Sequence, residues 1–129
     1  MWNKPTLEYK QEPLGDASGA MFRPSGKLIG TRESYDFLDS VRKFLHEGGR
    51  TVLIDLSGVD RVTSPGVGIL AALYTTAIRA NARIALVAVP EAVRSLLKVV
   101  LLWDLLPHYE TKEEALNAKD APGTDRPQS

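Results

Sequence analysis

Apolar residues recur at Phe37, Leu38, Val41, Phe44 and Leu45, the spacing of one face of a helix. Thr31 stands before this segment as a plausible N-cap, and Gly48-Gly49 after it as a stop. Two short apolar runs follow, Val52-Leu53-Ile54 and Ile84 to Val89, each the length of a strand buried on both faces. The stretch from Pro65 to Asn81 between them reads as one long helix. A strand-helix-strand unit closes as a right-handed crossover with parallel strands, so the predicted class is α/β.

Upstream, Leu7 to Leu28 reads as two weak strands joined by Gly15-Asp16-Ala17-Ser18-Gly19. Pro24 offers no N–H to a ladder, which predicts that the second strand lies at an edge or stops there, with Ser25-Gly26 turning the chain. Downstream, a helix is predicted from Glu91, with Val93, Leu96, Leu97 and Val100 on one face, and a short closing helix over Lys112 to Asn117. Residues 119–129 lack apolar periodicity and are expected to be a disordered tail, leaving residues 1–118 as one domain.

Composition narrows the function classes. The 129 residues suit a single core, and 43% hydrophobic with 25% charged residues is ordinary for a globular chain. Lys plus Arg and Asp plus Glu both number 16, so no net positive field favours a nucleic-acid partner. The absence of cysteine excludes disulfides, thiolate nucleophiles and Cys-based metal sites, and suits a reducing cytoplasm. The start Met1-Trp2-Asn3-Lys4-Pro5 lacks a secretory pattern, and no run reaches the roughly 18 apolar residues of a membrane span. A cytoplasmic chain without direct membrane insertion is expected.

The chemistry concentrates in the segment from Asp55 to Gly68, where a buried strand gives way to a helix through Thr63-Ser64-Pro65-Gly66. Proline suits a first helical position and pushes its predecessor out of the α region, which predicts Ser64 as the N-cap. The hydroxyl then stands beside the free N–H groups of the first turn, where the helix dipole favours negative charge. Phosphorylation there adds about −1.5 to −2 charges, enough to disfavour a dry contact formed over the helix start. The plainer alternative is a Ser64 that only caps the helix.

Gly66 and Gly68 match neither phosphate-loop spacing, and close packing of the first turn explains them equally well. Val67, Leu70, Tyr74, Ala77 and Ile78 form a core stripe, while Ile69, Ala72, Leu73 and Thr76 make a second one. That second stripe is either a docking face or is covered by a neighbouring helix. Catalysis finds little support: His46 and His108 have no companion at a useful spacing, and Asp55 with Asp60 is equally a solvated loop pair.

These residues resemble the STAS domain, the family of bacterial anti-sigma-factor antagonists, in which a serine precedes a glycine-rich helix start. The resemblance runs from about Gly26 to Leu116. It includes Ser25-Gly26-Lys27-Leu28, Val52 to Gly68, Asn81 to Val87, Pro90-Glu91-Ala92-Val93 and Leu105 to Leu116. It implies a single-layer mixed, mostly parallel sheet with helices mainly on one side, and a non-enzymatic domain without a cofactor. The implied partner is an anti-sigma factor with serine kinase activity, and phosphorylation of Ser64, or less so of Thr63, ends the binding. The contact residues it suggests are Thr63, Ser64, Pro65, Gly66, Ile69, Ala72, Leu73 and Thr76.

Two departures from the family pattern bear on this. Thr63 stands where the family carries an acidic residue, and Pro65 stiffens the helix entry, which favours a scaffold or accessory STAS-like subunit that is not phosphorylated. The segment Val100-Leu101-Leu102-Trp103 is greasier than the family pattern, so Leu102 and Trp103 are candidates for a secondary interface or a homodimer contact, with core packing as the alternative.

Overall fold

A computed structural model describes residues 4–118, and the expectation for the tail at 119–129 lies outside them. Ten elements follow one another among the described residues. They are β1 (Leu7–Leu14), β2 (Asp16–Leu28), α1 (Arg32–His46), β3 (Thr51–Asp55), β4 (Gly58–Val62), α2 (Ser64–Arg79), β5 (Arg83–Val87), α3 (Glu91–Val99), β6 (His108–Tyr109) and α4 (Lys112–Asn117). The strands form one sheet in the order β1-β2-β3-β5-β6, with β4 pairing β2. Among the described residues, β1 and β2 pair antiparallel and the other pairings are parallel.

Strand alternation divides the core in two. Ala20, Phe22, Val52, Ile54, Ile84 and Leu86 point to the face that α1, α2 and α3 cover. Met21, Leu53, Ala85 and Val87 point to the other face, where Ala115 of α4 joins them. The helices therefore lie mainly on one side of the sheet, as the resemblance implies.

Pro24 does not mark an edge, because β2 runs through it between β1 and the β3/β4 side. Its partners on that side are β3 over Gly19–Phe22 and β4 over Ser25–Leu28. Pro24 falls in the gap between the two ladders, where the missing N–H breaks no parallel pairing. Ser25-Gly26 likewise does not turn the chain; the strand continues to Leu28 with a register shift after Gly26.

Thr31 holds the N-cap position of α1, yet its side chain makes no cap hydrogen bond. Its hydroxyl pairs instead with that of Thr6 at 2.6 Å, and Thr6 also donates to Glu33 at 3.0 Å, tying the entry of β1 to the start of α1. The Glu33 carboxyl is held below the usual carboxylate range, chiefly by a backbone N–H and then by the hydroxyls of Thr31 and Thr6.

Candidate protein-docking site

The start of α2 is placed by two close approaches. Gly66 is buried, and a Cβ there would collide with the carbonyl oxygen of Leu28 in β2, so the first turn rests directly on sheet backbone. Gly30, with φ of +88°, lies against the Pro65 ring and leaves no room for a side chain. The N–H of Thr63 donates to the Leu28 carbonyl at 3.3 Å, anchoring the residue before the helix.

Ser64 is exposed, as the switch reading requires, but it is not the N-cap. Thr63 is the cap, in an extended conformation, and Ser64 is the first helical residue with Pro65 second. Ser64 takes a helical conformation despite the proline that follows it, which displaces the expected cap by one residue. No side chain caps this helix, and its first turn holds no acidic residue. Its N-terminal dipole therefore goes uncompensated by any carboxylate of its own first turn.

The expected contact face divides. Ser64 and Pro65 are exposed, and Thr63, Ala72 and Thr76 are half-buried. Ile69 and Leu73 are 2% and 1% exposed and belong to the core with Gly66, so these three are withdrawn from the contact face. The inward stripe is Gly66, Ile69, Leu70, Leu73 and Ala77, turned by less than one residue's step of about 100° from the expected one. Val67 and Tyr74 are half-buried at its margin, and Ile78 is 44% exposed. The outward stripe starts at Ser64 and continues through Gly68, Thr75 and Ile78, with Ala71 and Ala72 at half-burial. A Cβ on Gly68 would meet nothing within 4 Å.

Leu102 and Trp103 are half-buried against the core. The Trp103 ring stacks on His108 with centroids 3.5 Å apart, and the Arg94 guanidinium lies 5.4 Å from its centre. Packing thus accounts for both. The apolar surface lies beside them, on Val99 at 77% and Leu101 at 84% exposure, with Val100 and Leu105 also exposed. Val100 and Leu101 belong to the greasy segment noted in the sequence, but α3 ends at Val99 and Leu101 adopts a left-handed φ of +65°, so Val100 is exposed instead of joining the expected face with Val93 and Leu97.

The residues weighed for catalysis are dispersed. Asp55 is buried at the end of β3, where Arg23 bonds it and the Ser57 N–H donates to it at 2.9 Å. Asp60 is exposed on β4, and no hydrogen bond or ion pair joins the two among the described residues. His46 is exposed at the end of α1, and His108 Nδ1 lies 2.9 Å from the Leu106 carbonyl oxygen. Among the described residues no helix is long and apolar enough to cross a membrane.

The family profile described as "Mlab, STAS domain" matches residues 28–107. The chain belongs to the STAS domain family. Among solved STAS-like structures, an anti-sigma factor antagonist from Mycobacterium paratuberculosis superposes with a TM-score of 0.75 at 24% identity, over 88% of this chain and 95% of the other. The Bacillus cell fate determinant SpoIIAA in its phosphorylated form gives 0.61 at 15% identity, over 88% and 100%. A sulfate transporter family protein from Wolinella succinogenes gives 0.64 at 12% identity, over 78% and 83%. No curated protein sequence matches the chain. At these identities the superpositions speak for the fold, so this STAS domain's own surface must carry the functional argument.

Proposed function

We propose that residues 1–118 act as a non-enzymatic, cytoplasmic regulatory domain, an anti-sigma-factor antagonist that binds a serine-kinase anti-sigma factor and is released by phosphorylation of Ser64. The observation that carries this reading is an exposed serine at the first position of an uncapped helix, with an open surface running on from it along α2. A phosphate on that hydroxyl would sit beside free first-turn N–H groups in the positive end of the helix dipole. The same charge would stand at one end of the surface a partner must cover.

The contact face in this reading is Thr63, Ser64, Pro65, Gly68, Ala72, Thr75 and Thr76, with the kinase supplying the nucleotide chemistry. A second reading, a scaffold or accessory subunit using the same face without phosphorylation, is favoured by two observations. Thr63 and Pro65 depart from the acidic-serine pattern, and the matching profile carries the Mlab description.

Affinity capture with wild type, Ser64→Ala and Ser64→Glu, with mass spectrometry of bait and partners, separates the readings. The switch reading expects phosphate on wild-type Ser64, retained binding by the alanine variant, and binding lost by about tenfold or more in the glutamate variant. An unmodified Ser64 with equal capture by all three supports the scaffold. Ser64 is exposed and is not the cap of its helix, so both variants should keep a stability within about 0.5 kcal/mol of wild type.

A further inference from the structure

At its far end the docking helix opens into a groove of about 590 Å³, where the last turns of α1 and α2 lie side by side. Arg42, Lys43 and His46 line it from α1, and Thr76 and Arg79 from α2, over an apolar floor that includes Leu45. Asp39 is its one lining carboxylate, already held by Arg42 at 3.5 Å. Lys43, His46 and Arg79 are exposed and make no ion pair among the described residues. Arg50 stands at the same end, donating to the Ala80 carbonyl at 3.1 Å. On a chain of formal net charge +0, this is a local excess of positive charge.

Cations near helix C-termini ordinarily offset the macrodipole, and one in each last turn is enough for that. Here α1 carries Lys43 in its last turn, with Arg42 immediately before, α2 carries Arg79, and Arg50 stands beside Ala80. The positive charge is divided between the two helices rather than gathered around a point, with Arg42 and Lys43 on one wall of the groove and Arg79 on the other, which suits successive carboxylates on a peptide. Thr76 lies both on this groove and at the margin of the outward face of α2, so one partner can follow the helix from Ser64 into the groove.

We infer that this groove receives an acidic segment of the protein that docks on α2. The inference rests on the docking reading above and adds the partner's chemistry: carboxylates paired with Arg42, Lys43 and Arg79, and an apolar side chain over Leu45. Such pairing steers encounter and fixes register along the helix.

The probe is a synthetic peptide of alternating glutamate and leucine blocks, with a lysine-for-glutamate peptide as control, titrated into the full 15N-labelled chain. Expected are amide shifts at Arg42, Lys43, His46, Thr76 and Arg79 with the acidic peptide alone. The R42E/R79E double variant should weaken binding about tenfold or more, and 0.5 M salt should do likewise. The peptide titration needs neither a captured partner nor a phosphate on Ser64, so this test and the Ser64 test fail independently.

Shifts elsewhere, no binding, or equal binding by R42E/R79E would overturn the inference. So would saturation of the same amides by millimolar inorganic phosphate, which would mark a small-anion site. Both substituted residues are exposed, so the double variant should fold; should its melt drop, Lys43→Glu gives the same reading.

Discussion

The two faces of α2 are built from similar residues and do opposite things. Inward, Gly66, Ile69, Leu70, Leu73 and Ala77 close the core against β2 and its neighbours. Outward, Ser64, Gly68, Thr75 and Ile78 face solvent. The two glycines make the contrast sharpest. Gly66 has sheet backbone where a side chain would begin, and Gly68, two residues on, has open space. An almost wholly apolar helix does not announce its buried side by amphipathicity; the closest approach to the sheet decides it.

Substitutions that exchange the character of the two faces test this. Leu73→Ala should be the most costly, about 2–5 kcal/mol, because it empties a fully packed site, and chemical denaturation measures it. A cost under 1 kcal/mol would mean that Leu73 is free to solvent. Gly66→Ala should follow at about 1–3 kcal/mol, since the methyl group meets the unyielding Leu28 carbonyl rather than a flexible side chain. Gly68→Ala should go the other way, stabilising by about 0.5–1 kcal/mol through helix propensity alone, visible as a raised Tm. If Gly66→Ala also stabilised, the assigned orientation of α2 would be wrong.

Periodicity and punctuation made much of the fold legible. The face of α1, the closing helix at Lys112–Asn117 and the parallel pair β3 and β5 follow from the sequence pattern, and so does α3 at Val93 and Leu97, though not at Val100, which lies past its end and is exposed. What the chain did not disclose depends on contacts distant in sequence. The strand β4 escaped notice because Gly58-Val59-Asp60-Arg61-Val62 reads as a loop until β2 offers it a ladder. Pro24 suggested an edge because nothing local reveals a change of pairing partner at that residue. Ser64 was identifiable as the exposed residue at the helix mouth, yet Ile69 and Leu73 were misassigned to the outer face because the rotation of α2 is set by Leu28, remote in sequence. The groove between α1 and α2 has no local signal; its cations become a cluster only once two helix ends meet.

The central claim is that the face leading from Ser64 along α2 is a contact surface and not merely exposed helix. The most direct measurement is the dissociation constant of the captured partner for wild type against Gly68→Glu, with melting curves for both. Gly68 carries neither a hydroxyl nor a core contact, so the glutamate changes only the outward surface. The account predicts an unchanged or higher Tm with binding weakened about tenfold or more, as expected for a charge set into a dry contact. Equal affinity for the two proteins would contradict it and leave the outer face of α2 without a partner.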